Sequence, residues 1–224
     1  MKKTINRYER KWVLKNSNPL ILINSLIRSN LFFKTHYPAR KVNSIYFDTK
    51  ELTAIRQNLD GISEKKKIRV RWYGEKYLIK NPVIEIKNKK GFETKKMHIK
   101  IKNLEKKNFL RYENLVSIKD IINKKLKLKK IVYPILTTNY FREYFISANE
   151  KIRATVDYNL SSTYLKNFSQ VNIEKNFNNI CILELKYPTK FDDYVRNNLR
   201  DITLRLSKNS KFVNSAFEVP KFYS

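Results

Sequence analysis

Residues 67–73, Lys67-Ile68-Arg69-Val70-Arg71-Trp72-Tyr73, place Arg69 and Arg71 two apart with Ile68, Val70 and Trp72 filling the alternate positions. Side chains alternate faces along a β-strand, so this spacing sends both guanidinium groups to one side and the apolar groups to the other. The same period recurs as Arg7/Glu9/Lys11 in RYERKW, Glu85/Lys87 in VIEIKNKKG and Glu184/Lys186 in ILELKYP. Arg142 and Glu143 in NYFREYF read as a fifth ionic segment of the set. Several such strands side by side make a highly charged face. In an open sheet that face is solvated; in a sheet closed on itself with the ionic side inward, it lines a tunnel.

The composition is that of a folded, strongly cationic chain. Its 224 residues are 42% hydrophobic, enough for one large domain, and nothing in the sequence marks a linker, so residues 1–224 read as a single domain. A net charge of +28 predicts attraction to a polyanion, whether nucleic acid, anionic membrane or inorganic phosphate chains. Part of the lysine excess reads as a solvated coat of the kind that an A/T-rich genome favours. Arginine is scarcer, 13 of the 48 cations, yet it recurs inside the patterned segments at Arg69, Arg71, Arg142, Arg153 and Arg205. Those positions call for a planar fork that lysine does not offer.

Cys181, flanked by Ile180 and Ile182, reads as a small core residue, and one cysteine permits no internal disulfide. The start MKKTINRYERKWVL has no apolar stretch, and PLILINSLI is too short and too polar to span a bilayer. A cytoplasmic chain is expected, with any membrane contact peripheral at the inner face or made through a membrane-protein partner.

Strands are expected near 6–14, 43–48, 67–73, 83–88, 94–102, 134–146, 151–158 and 180–187. Helices are expected near 19–30 after cap candidates Asn16, Ser17 and Asn18, over KELTAIRQNL, and near 191–200. The clearest helix is LVSIKDIINKKLKLKK, with Leu115, Ile118, Ile121, Ile122 and Leu126 at helical spacing and Lys124 to Lys130 on a solvated side. LKNFSQVNIEKNFNNI reads as an irregular loop. Many strands with few crossover helices predict an antiparallel α+β fold with helices covering the sheet, in which closure of the strands would remove exposed edges. Trp12 and Trp72 read as packing against those helices, Tyr46 and Phe47 as core, and Asp48 as a cap for the next helix. Asp157 is read as open, with a structural pair to Arg153 as one alternative. His36 and His98 show no metal-ligand spacing.

The mixed sign of the stripes is informative, because Glu precedes Lys by two residues at 9/11, 85/87 and 184/186. Glutamate oxygens ligate divalent cations and Lys or Arg clasp phosphate oxygens, so the pairing supplies both halves of a metal and polyphosphate site. RYERKWVL, YPARKVNSIYFDT, NLDGISEKKKIRVRWYG, PVIEIKNKKG, PILTTNYFREYF, ILELKYPTKFDD and LSKNSKFVNSAF follow in that order from about residue 6 to 217. Together they resemble the polyphosphate polymerase domain of the vacuolar transporter chaperone (VTC) family, which belongs to the triphosphate tunnel metalloenzymes related to the CYTH triphosphatases.

The resemblance implies a closed antiparallel β-barrel with flanking helices, a triphosphate tunnel whose ionic lumen binds ATP or inorganic polyphosphate, with a divalent metal, Mn²⁺ or Mg²⁺. It matches Lys11 to a first-strand phosphate contact with Arg7 and Glu9 in its stripe, and Arg69 and Arg71 to the R-x-R grip on the triphosphate. Lys87 matches the E-x-K lysine, Tyr140 and Arg142 the Y-x-R strand, Glu184 the metal-binding glutamate with Lys186 beside it, and Ser210-Lys211 the late S-K. Arg153 joins the phosphate-binding candidates, Glu9 is a second metal candidate, and either Lys95 or Lys96 faces the lumen, a register the sequence does not fix. Where the family usually has glycine after S-K-[FY], this chain has Asn214-Ser215, which puts the turn there in question.

The activity so implied is transfer of the terminal phosphoryl group of ATP onto a growing polyphosphate chain with release of ADP. The same tunnel using water would be a triphosphatase, and without turnover a polyphosphate-binding module. Nucleic acid is disfavoured as a partner, because the aromatic residues read as lying on the apolar faces and no glycine-rich or ribonucleoprotein-type motif occurs.

Overall fold

The computed structural model describes residues 7–91, 93–101, 105–165, 172–177, 179–199, 206–207 and 210–217. Its strands are β1 (Arg7–Lys15), β2 (Lys34–Asp48), β3 (Glu64–Tyr73), β4 (Leu78–Lys80), β5 (Val83–Lys90), β6 (Glu93–Lys100), β7 (Glu105–Lys107), β8 (Tyr133–Ile146), β9 (Arg153–Leu165), β10 (Asn172–Phe177) and β11 (Ile180–Pro188). The helices are α1 (Pro19–Arg28), α2 (Thr53–Leu59), α3 (Tyr112–Leu126), α4 (Asp192–Asn198) and α5 (Lys211–Phe217). Nine strands follow the order β1-β11-β9-β8-β2-β3-β5-β6, with β10 against β9, and β4 pairs with β7 apart from them. Every register resolved between strands is antiparallel.

The chain packs as two compact units, and β2, β8 and β9 each contribute to both. The first unit takes its described residues from 1–40, 140–160 and 177–209. Its apolar core lies on one face of β1, β9 and β11, where Trp12, Val156, Leu183 and Leu185 meet Leu22, Ile23 and Leu26 of α1 and Val195 of α4. Asn18 starts α1 by accepting from the Leu20 N–H at 2.9 Å, and Pro19 follows at a position where its missing N–H costs no helical bond. α4 is fastened by Asp192, which accepts from Arg10 at 2.5 and 2.8 Å and from the Tyr187 hydroxyl at 2.8 Å. Burial alone would raise the Asp192 carboxyl; Tyr187 and Arg10 hold it below its ordinary value. Cys181 is buried, and burial pushes its thiol up.

The second unit takes its described residues from 41–139, 161–176 and 210–217. On one face Ile45 and Phe47 of β2, Ile68, Val70 and Trp72 of β3 and Ile84 and Ile86 of β5 pack under Leu115, Ile118 and Ile122 of α3. Trp72 meets Phe109 edge to face at 5.0 Å and donates its indole N–H to the Glu75 carbonyl at 3.1 Å. A smaller cluster joins Tyr46, Ala54 and Ile55 to Phe212 and Ala216 of α5. Asp48 accepts from the N–H groups of Thr49, Ala54 and Ile55 at 2.8, 2.9 and 3.0 Å, so it caps α2, which begins at Thr53, from the end of β2.

The period-two reading assigned the apolar faces correctly, and both tryptophans pack beneath helices as expected. Four segments differ from the reading. Residues 172–177, expected as loop, pair as β10 with β9, where backbone hydrogen bonding outweighs a polar composition. β4 and β7 are three residues each, too short to show a period. α3 ends at Leu126, where Lys127 turns into the left-handed region at φ 43°, so the lysine run beyond it is not helical. Asn214-Ser215, where the family pattern has a turn glycine, continue α5 instead. Arg205 lies outside the described residues.

Candidate functional site

In the second unit the face opposite the apolar core carries the charge. Arg69 of β3 is the register partner of Glu85 on β5 and Tyr46 on β2, while Arg71 lies opposite Val83 and Ser44. Arg69 reaches Glu85 through Nε at 2.6 Å and Nη2 at 2.5 Å, and Arg71 reaches the other carboxylate oxygen through Nη1 at 3.3 Å. Both arms of the R-x-R pair thus close on one internal carboxylate. Burial by itself would raise the Glu85 carboxyl, but Arg69 and Arg71 hold it below its ordinary value. Arg69 also donates to the Tyr46 hydroxyl at 3.2 Å, and the Tyr46 ring stacks on Phe212 at 4.8 Å.

Two residues before Arg69, Lys67 donates to Ser210 Oγ at 2.9 Å, and the same oxygen accepts the Val213 N–H in the first turn of α5. Lys211, the first residue of that helix, is half-buried. Lys87 sits opposite Lys67 on one side and opposite Lys96 on the other, so three lysines stand in a row across β3, β5 and β6. Like charges directly across strands repel, which makes this row a place where a bound polyanion is stabilising. The register also resolves the lysine pair: Lys96 shares the face of Lys87, whereas Lys95 is partnered with Asn88 on the reverse face. Five cations of this face, Lys67, Arg69, Arg71, Lys87 and Lys96, thus gather on β3, β5 and β6 about the Glu85 carboxylate.

The first unit carries a second cluster, closer to charge balance. Glu184 of β11 lies opposite Lys11 of β1 and Thr155 of β9. Lys11 Nζ is 2.9 Å from Glu9 and 3.4 Å from Glu184, and Lys186 pairs with the other Glu184 oxygen. Burial opposes ionisation of Glu184, but Lys11, Lys186 and Arg142 outweigh it and hold the carboxyl far below its ordinary value. Lys11 moves the other way: burial would lower it, yet Glu184 and Glu9 raise it. Arg142 forks onto Asp157 at 2.6 and 2.7 Å and lies over the Tyr140 ring at 5.3 Å. Arg7 and Arg153 are exposed near the strand ends, opposite Pro188 and Lys186.

Asp157, whose role the sequence left open, takes a two-donor fork from Arg142 on its buried carboxylate. Two readings of the sequence need correction here. Glu143 is adjacent to Arg142 and so takes the reverse face, where it accepts from the Tyr158 hydroxyl at 3.0 Å and, after burial, helps push that phenol up to about 12. Aromatic residues also join the ionic faces: Tyr46 beside Arg69 and Tyr140 beneath Arg142. Lys67 was missed although it extends the Arg69/Arg71 stripe by one further step of two, and Glu85 was read only as part of an E-x-K pair.

Glu184 and Glu9 are the oxygen donors suited to a hard divalent cation, and both converge on Lys11. No group of three or more His, Cys, Asp or Glu side chains capable of enclosing a metal occurs among the described residues. The donor set therefore fits a cation that takes one or two carboxylates from protein and completes its shell from phosphate and water.

The VTC domain family matches residues 6–218. The chain belongs to that family. No curated protein sequence matches it. Among solved structures it is similar to a candidate adenylyl cyclase from Hippeastrum, at 12% identity and TM-score 0.53, covering 95% of this chain and 98% of that one. A candidate adenylate cyclase from Vibrio parahaemolyticus is 12% identical with TM-score 0.51, over 92% and 95% of the two chains. One from Bacillus halodurans is 14% identical with TM-score 0.51, over 93% and 96%. This VTC domain thus has the mostly antiparallel α+β fold of the triphosphate-tunnel, CYTH-like type that the resemblance implied. None of its helices among the described residues is long and apolar enough to cross a membrane.

Proposed function

We propose that this VTC domain acts as a single catalytic domain, a polyphosphate polymerase that moves the terminal phosphoryl group of ATP onto inorganic polyphosphate. The observation that carries this reading is the gathering of cations around Arg69 and Arg71, whose donors already converge on an anionic carboxylate. In the transfer, a terminal oxygen of the acceptor chain attacks the γ-phosphorus of ATP, the bridge from that phosphorus to the β-phosphate oxygen breaks, and ADP leaves. Such a transfer asks the protein for positioning, charge neutralisation and exclusion of water more than for covalent chemistry. Arg69 and Arg71 provide planar forks for phosphate oxygens, while Lys67, Lys87 and Lys96 add point charges along the anionic chain. Ser210 and Lys211 add a hydroxyl and an ammonium at the start of α5.

Glu184, with Glu9, would hold Mg²⁺ or Mn²⁺; bound there, the cation offsets charge on phosphate oxygens during transfer. Lys11 and Lys186 keep Glu184 ionised and oriented, and Asp157 fixes the plane of Arg142. Hydrolysis is the second reading, favoured because the similar Hippeastrum protein is described as having a dominant triphosphatase activity. Purified protein incubated with ATP and Mn²⁺ or Mg²⁺, followed by separation of ADP, free phosphate and polyphosphate, tests both. Polyphosphate with ADP supports the polymerase. Free phosphate alone supports the triphosphatase, and intact ATP with tight polyphosphate binding reduces the domain to a binding module.

A further inference from the structure

On β8 the ionic face of the first unit continues past Tyr140 and Arg142 to Tyr144, and it ends in an exposed aromatic group. Tyr37, on the first part of β2, is 48% exposed and meets Tyr144 edge to face at 5.9 Å. Arg40, also exposed, places its guanidinium carbon 5.7 Å over the Tyr37 ring and 5.8 Å over the Tyr144 ring. The His36 ring lies 4.0 Å from Tyr37, so the tyrosine is held by three neighbours while about half of it stays exposed. Neither tyrosine belongs to the apolar core of this unit. A large exposed ring braced by a guanidinium is an arrangement suited to stacking a flat, electron-rich ligand.

Its position says which ligand. Ser147 donates its N–H to the Ile152 carbonyl, and counting back along the antiparallel β8 and β9 sets Tyr144 opposite Thr155. Thr155 is in turn the register partner of Glu184. Tyr144 therefore stands two strand spacings, about 10 Å, from Glu184 along the same row. That span is comparable with the reach from the base to the outer phosphates of a nucleoside triphosphate. A polyphosphate chain alone has no use for an aromatic surface; a nucleotide has both a charged tail and a stacking face.

We propose that Tyr37, Tyr144 and Arg40 form a nucleobase platform, so that the domain recognises a purine nucleoside triphosphate by its base as well as by its phosphates. The proposal rests on the triphosphate reading above and deepens it. Stacking on Tyr37 favours the larger purine ring, and Arg40 adds cation–π attraction at the same ring. These are positioning residues: they touch the base, not the reacting phosphorus.

Calorimetric titration of the whole domain with ATP, CTP and tripolyphosphate in Mg²⁺ tests the idea. Wild type is expected to bind ATP more tightly than CTP. Tyr37→Leu is expected to weaken ATP about tenfold while its tripolyphosphate affinity moves far less, with Tyr37→Trp restoring ATP and Arg40→Ala giving the same split. The tripolyphosphate arm doubles as the check on folding. Equal loss for both ligands, or no loss for either, overturns the platform and leaves the triphosphate site standing. A wild type that binds neither ligand removes the triphosphate reading itself, and the platform with it.

Discussion

At the scale of single residues, the cations that await phosphate are occupied by the protein's own carboxylates. Glu85 takes both arms of the Arg69/Arg71 pair, so a phosphate must compete with it for the same donors. Glu85→Gln is therefore expected to tighten tripolyphosphate binding several-fold at pH 7 while costing roughly 1–3 kcal/mol of stability, because two guanidinium groups lose a charged acceptor. Calorimetric affinity and thermal unfolding, read together, check it; weaker binding would show that Glu85 serves the ligand instead of rivalling it. Arg71→Ala removes a fork, and polyphosphate formation should fall by about a hundredfold to a thousandfold, as on loss of a preorganised donor to a developing charge. Arg71→Lys should recover only part of it, since one ammonium does not span two oxygens. Lys127→Ala, at the end of α3, should change the rate little.

Elements decide which residues share a face, and here the sequence was readable up to the point where one strand meets another. Alternation within β1, β3, β5 and β11 told which side of each strand is ionic, because one face packs apolar side chains and the other carries the charged ones. Pairing between strands is not written in any one strand, so neither the Lys95/Lys96 choice nor the row Lys67, Lys87, Lys96 was legible. The Arg142 fork escaped for the same reason, since Asp157 lies on the neighbouring strand. Lys96→Ala should weaken polyphosphate binding several-fold and Lys95→Ala much less, measured at one fixed salt concentration. The capping of α2 carries a consequence for the site through α5. Asp48 satisfies the Ala54 and Ile55 N–H groups at the start of α2 as well as that of Thr49, and Ala54 and Ile55 pack with Phe212 and Ala216. Asp48→Ala should cost about 1–2 kcal/mol in denaturant unfolding. It should also weaken phosphate binding by loosening the helix that bears Lys211.

Over the whole molecule, a net charge of +28 leaves the few carboxylates holding together far more cation than they can neutralise. Glu184, Glu85 and Asp192 all have folded-state values below their ordinary ones. Groups of this kind contribute stability above the unfolded carboxylate range and lose it as pH falls through the folded value. Lys11 has the opposite sign: its folded value is raised, so its contribution holds below the ordinary lysine value of 10.5 and is lost only at higher pH. Thermal stability should therefore be level near neutrality and fall as pH drops below 4.5, the ordinary glutamate value, continuing well beneath it because Glu184 is held so low. Each carboxylate neutralised also adds to the positive self-repulsion, so moderate salt should soften the acid loss. Glu184→Gln isolates the largest part of this effect. At pH 7 the variant should unfold at a lower temperature than wild type, by roughly 2–3 kcal/mol of stability, since Lys11 and Lys186 lose a buried partner. As pH falls below the ordinary glutamate value the carboxyl of the unfolded chain takes up its proton first, so wild type loses this advantage and the two melting curves should converge. A gap that stays constant from pH 7 to pH 2 would mean that the substitution acts through packing and not through the Glu184 charge.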